Sequence, residues 1–141
     1  MSRRVLMRSV ASWGLLAGAV GGIGYWTAGS VRATIAEQDL SRIGDGTPTV
    51  VQVHDPQCNL CLALQVETRA ALERFEADAL NYVVANVKTD AGRRFAATQN
   101  VGHVTLVLFD AGGRRRETLQ GPRSSAELER VFRRLLGRPA S

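Results

Sequence analysis

The sequence predicts an α/β domain, a central mixed sheet flanked by helices, preceded by one N-terminal transmembrane helix. Three observations carry that expectation. Short β-branched runs alternate with stretches of helical periodicity from Thr49 onward. The pair Cys58 and Cys61, separated by two residues, falls where the first of those runs meets its helix. Finally, the 23 residues from Ser9 to Val31 carry no charge, where roughly 20 suffice for a helix to cross a bilayer.

Residues 1–31 are expected to form a membrane anchor or an export signal. Arg3, Arg4 and Arg8 precede the apolar segment, and no acidic residue occurs before Glu37. Trp13 and the pair Tyr25-Trp26 lie toward its two ends, as rings seated at the two interfaces do. The arginines orient the chain N-inside, which predicts a single pass through the inner membrane with the C-terminal domain in the periplasm. A cleaved signal is the competing reading, with Val31-Arg32-Ala33 as its cleavage site. "SRRVLMR" also resembles the twin-arginine export motif. Gly14, Gly18 and Gly22 repeat every four residues, a spacing that lets two apolar helices approach closely. The chain's net charge is +5, and setting the three leading arginines aside leaves +2. The basic balance is thus largely an orientation signal and predicts no nucleic-acid partner.

Residues 32–46 are expected to be a linker with a short helix, Arg32 to Ile43, ended by a Gly/Pro break. "TVVQVH", Thr49 to His54, reads as a buried strand that Pro56 terminates. Helical spacing of Leu60, Leu64, Ala71, Leu72 and Phe75 predicts a helix from Cys58 to about Ala77. "LNYVVANV" at Leu80 to Val87 is a second strand, and Asp90 can cap a helix running to about Gln99. "HVTLVLF" at His103 to Phe109 is a third strand, which "DAGG" turns into "RRRETLQG". Arg114-Arg115-Arg116 then reads as solvated charge on an edge strand, and Arg93-Arg94 as a helix surface. Ser124 and Glu127 form a capping-box pattern opening a last helix with Leu128, Val131, Phe132, Leu135 and Leu136 on one side. The folded domain is expected over 47–137, followed by a tail at 138–141.

A C-x-x-C at a strand-to-helix junction has a specific chemistry. The first cysteine meets the helix N-terminus, where unpaired N–H groups and the dipole favour a thiolate. The second lies one turn on, close enough to close a reducible disulfide. Together with this order of elements, the chain resembles the thioredoxin family from about Thr47 to Leu136. The residues that carry the resemblance are "VVQVHDPQCNLC", "VGHVTLVLFDAGG" about forty residues later, and Gly121 ahead of the final helix. The resemblance implies a thioredoxin-like fold and thiol–disulfide exchange. It also exposes departures. The family's cis-proline falls on Val104, and a non-proline cis bond costs about 3–4 kcal/mol, so a trans bond and a reshaped docking loop are expected there. The family's buried acid falls on Gln52, which takes up no proton. Gln57 replaces its tryptophan, His54 another aromatic, and Asn59-Leu60 the usual intervening pair.

The function expected from these readings is a membrane-anchored periplasmic oxidoreductase of protein disulfides. Cys58 acts as nucleophile and Cys61 resolves the mixed disulfide. His54, Pro56, Gln57, Asn59, Leu60, His103, Val104 and Thr105 line the site. No cofactor is expected beyond the redox-active Cys58–Cys61 disulfide. The partners are a protein thiol or disulfide substrate, a membrane or periplasmic redox partner, and the membrane itself through the N-terminal helix. An alternative rests on the two histidines, His54 and His103. With Cys58 and Cys61 they offer thiolate and imidazole ligands suited to copper(I) or zinc, an arrangement that faintly resembles the Sco-type copper chaperones. A third reading is a thioredoxin fold used only to bind a partner.

Overall fold

The computed structural model describes Arg32 and residues 34–137. The expected membrane helix, the cleavage and glycine motifs, and the 138–141 tail lie outside the described residues. Among those described, no helix is long and apolar enough to cross a membrane. The chain divides into two compact units, Met1–Ala36 and Glu37–Ser141. Of the first, Arg32 and residues 34–36 are helical.

In the second unit a 3₁₀ turn, Leu40–Arg42, precedes β1 (Thr49–His54), α1 (Asn59–Leu72), β2 (Asn81–Asn86) and α2 (Asp90–Gln99). β3 (Thr105–Phe109), β4 (Arg115–Gln120) and α3 (Ser125–Leu135) follow. The four strands form one sheet in the order β2-β1-β3-β4. β1 runs parallel to β2 and antiparallel to β3, and β4 is antiparallel to β3. This is the mixed α/β sheet flanked by helices that the sequence predicts.

Every residue of β1 is buried, because helices cover both faces and alternate side chains enter different cores. Val50 joins Leu64, Ala71, Leu106, Leu108, Leu128 and Phe132 beneath α1 and α3. Val51 joins Val83, Ala85, Val107 and Phe109 on the other face, where Phe95 of α2 packs. Gln52 and His54 share the Val50 parity, and so lie on the side of α1. That parity places the polar end of β1 under the cysteines.

Several boundaries differ from the sequence expectation. α1 stops at Leu72, because the chain tightens and the Phe75 N–H bonds to the Leu72 carbonyl. Phe75 thereby stacks obliquely on Phe132 at 6.2 Å. The inward stripe of α1 is Cys61, Leu64, Thr68 and Ala71, with Leu60 left 54% exposed. The helix expected over Arg32 to Ile43 breaks after Glu37, and Asp39 instead caps the 3₁₀ turn. Residues 37–46 belong to the compact unit. Arg42 and Asp45 bond to the buried Asn81, and Leu40 and Ile43 cover the second core. Thr89, not Asp90, is the N-cap of α2, its hydroxyl accepting from the Gly92 N–H at 3.0 Å. The capping box of Ser124 and Glu127 forms as expected, and β4 with Arg115 and Arg116 is the sheet's edge.

Candidate functional site

β1 ends at His54, and a four-residue turn brings the chain to Cys58. The Cys58 N–H bonds to the Asp55 carbonyl at 3.0 Å, and the Asp55 carboxylate accepts from the Gln57 N–H. Gln57, and further out Lys88 and His103, hold the Asp55 carboxyl below its ordinary value against partial burial. This turn seats Cys58 at the N-cap of α1 in extended conformation. Its Sγ accepts from the Cys61 N–H at 3.2 Å, the role that Ser, Thr or Asp usually fills. Cys58 is half-buried and Cys61 fully buried, and both thiols are free. Burial, then the bond with Cys58, pushes the Cys61 thiol above its ordinary value, while backbone groups of Asp55 and Val104 pull it back.

Beneath the pair lies a polar chain in an otherwise apolar core. Gln52 Nε2 donates to the Cys61 carbonyl at 2.8 Å and approaches His54 Nδ1 at 3.2 Å. The Tyr82 hydroxyl donates to Gln52 Oε1 at 2.7 Å. All three side chains are buried, His54 to 6% exposure. Burial, opposed by Asp55 and reinforced by Arg69, lowers the His54 pKa from its ordinary value. Burial likewise pushes the Tyr82 phenol far up.

The loop before β3 supplies the other wall. Among the described residues no peptide bond is cis, as expected at Val104. Val104 takes φ +57°, rare for a β-branched residue. The conformation is held by the Gly121 N–H on the Val104 carbonyl at 2.8 Å. Val104 packs against the core, Thr105 is buried and bonds to the His103 carbonyl, and His103 is exposed. Pro56, Gln57, Asn59 and Leu60 are exposed around Cys58. The alternative metal set is not drawn together. Among the described residues no three His, Cys, Asp or Glu side chains are placed to hold an ion, and His54 Nδ1 is already engaged by Gln52. Sequence reasoning missed Tyr82 and Asp55. The signal for Tyr82 was a lone phenol in an apolar strand with no solvent face for its hydroxyl.

No family model matches the chain, and no curated protein matches it by sequence. Solved structures do match. A thioredoxin-like protein of uncharacterised function from Clostridium perfringens superposes with TM-score 0.60 and 20% identity, over 70% of this chain and 78% of that one. Malassezia sympodialis thioredoxin gives 0.57 and 15%, over 67% and 81%. Trxlp of Edwardsiella tarda gives 0.55 and 20%, over 65% and 87%. The fold is thioredoxin-like. Within it, this chain carries a C-x-x-C pair at the head of α1.

Proposed function

We propose that the protein is a thiol–disulfide oxidoreductase, tethered to the inner membrane with its folded domain in the periplasm. The observation that carries the reading is Cys58 Sγ, half-exposed at the N-cap of α1 and bonded to the N–H of its buried partner Cys61. The Cys58 thiolate attacks one sulfur of a substrate disulfide. That bond breaks, a Cys58–substrate disulfide forms, and the released substrate thiolate takes a proton. Cys61, as thiolate, then attacks Cys58 Sγ and expels the second substrate thiolate, leaving a Cys58–Cys61 disulfide. Two electrons have passed to the substrate, and the reverse sequence oxidises a dithiol. A membrane or periplasmic redox partner would restore the starting state. The tether is supported by the uncharged run from Ser9 to Val31 with its three leading arginines.

The test is a redox equilibrium of the chain in glutathione or dithiothreitol buffers, with Cys58 and Cys61 scored by alkylation mass. The expected result is a reversible two-electron transition between about −270 and −120 mV, the span of thioredoxin-like catalysts. No transition in that window would end the reading.

A further inference from the structure

Gln52 carries no charge and cannot exchange electrons, yet it touches three partners around the cysteines. Its amide orientation is fixed by one of them. The Cys61 carbonyl oxygen only accepts, so the Gln52 atom 2.8 Å from it is the nitrogen. The second hydrogen of that nitrogen points at His54 Nδ1, 3.2 Å away, which therefore accepts. The Gln52 oxygen then faces Tyr82 and takes its hydroxyl hydrogen at 2.7 Å. One acceptor-only group thus determines every proton in the chain, and it leaves the His54 proton on Nε2.

We propose that Gln52 is a positioning residue of the redox pair: it holds His54 as the neutral, Nε2-protonated imidazole while tethering the first turn of α1 through the Cys61 carbonyl. Its relevance to the cysteines rests on the thiol–disulfide reading, but its geometry does not. A second proton on His54 would set Nδ1–H against the Gln52 NH₂, donor against donor. Rotating the amide to relieve that clash would place Oε1 against the Cys61 carbonyl, acceptor against acceptor. The charged groups that reach His54 are Asp55, which favours the cation and is itself paired with Lys88 at 3.6 Å, and Arg69, which opposes it. Burial outweighs Asp55. His54 is therefore no cationic activator of the thiols, and the pair is insulated from histidine titration on this side.

The experiment is long-range ¹H–¹⁵N correlation of the imidazoles in the ¹⁵N-labelled full-length chain with both thiols reduced, from about pH 5 to 8, where an ordinary histidine titrates. The expected spectrum shows His54 with an unprotonated Nδ1 and a protonated Nε2 throughout. A proton on Nδ1, or conversion to imidazolium midway through that range, overturns the proposal. Gln52→Glu supplies an acceptor for Nδ1–H and is expected to raise the imidazolium fraction at pH 6 about tenfold, one pKa unit's worth. It should also add an inflection to the pH dependence of the Cys58–Cys61 equilibrium. An unchanged His54 ring in a folded Gln52→Glu chain also overturns the proposal. If that variant does not fold, the parent spectrum alone decides. A missing Cys58–Cys61 transition would remove the redox reading and leave the tautomer result standing.

Discussion

The N–H of Cys61 donates to Sγ of Cys58 across 3.2 Å, so the half-buried Cys58 caps the helix through the N–H of its buried partner. The two sulfurs consequently have unequal access, and a covalent partner reaches Cys58 first. In a chain carrying Cys61→Ser, the mixed disulfide on Cys58 has no intramolecular exit and should accumulate. With Cys58→Ser it should not form. Non-reducing electrophoresis after quenching with acid distinguishes the two, and equal trapping by both variants would contradict the assignment of roles.

Gly92 should tolerate no side chain. A Cβ there would stand 1.9 Å from the Asn86 carbonyl oxygen, and backbone cannot yield as a flexible side chain does. Gly92→Ala should cost at least the roughly 1–3 kcal/mol typical of overpacking, read as a lowered urea midpoint. Ala91→Gly, one position away, serves as the control for helix propensity.

Val104 should reject proline. Its φ of +57° lies far from the −65° or so that a pyrrolidine ring imposes. Val104→Pro should therefore destabilise the fold by more than about 1 kcal/mol. A gain in stability would mean that the loop adopts another conformation at little cost.

Thr118 carries the one buried side-chain oxygen or nitrogen without a hydrogen-bond partner among the described residues. Thr118→Val keeps the shape and removes the unsatisfied hydroxyl, and should stabilise by about 1 kcal/mol. Equal urea midpoints for the two proteins would indicate that the hydroxyl is satisfied in solution.

Stability should fall on mild acidification. The folded-state pKa of His54 lies below its unfolded value of 6.5. The unfolded chain therefore binds more protons as pH drops below that value, and the stabilisation present above it is lost as pH falls through the folded pKa. Cys61 works at the other end. Its raised pKa favours folding below the ordinary thiol value of 9.0, and that contribution is lost as pH rises through the folded pKa. Urea midpoints at pH 7.5 and 5.5 check the first effect, and His54→Gln should flatten the difference.

What the sequence made legible was local. β-branched runs found all three buried strands, and Ser124 with Glu127 found the last helix start, because strand alternation and caps are written within a few consecutive residues. Cys58 and Cys61 were legible because a junction and a spacing define them. The tie of Tyr82 to Gln52 spans 30 residues of chain, and nothing in either strand's periodicity encodes it. Helical spacing carries α1 through Phe75, but its ring is claimed by Phe132, 57 positions on. Leu60 falls on the helical spacing of apolar residues, yet it stays exposed beside Cys58 and the helix turns Cys61 inward instead. Residues 37–46 looked like a linker because their anchor is the distant Asn81.

The direction of β1 has a practical corollary. Its last residue leads to the cysteines, while its first, Thr49, pairs with Phe109, just ahead of the Asp110–Arg114 turn. Six residues of strand, about 20 Å, separate these ends. Gly112 on that turn is exposed, so a linker introduced there through Gly112→Lys would leave the Cys58 end of the strand facing away from the surface. Immobilised on an electrode by that far end, the chain would present the proposed Cys58–Cys61 couple for voltammetric readout.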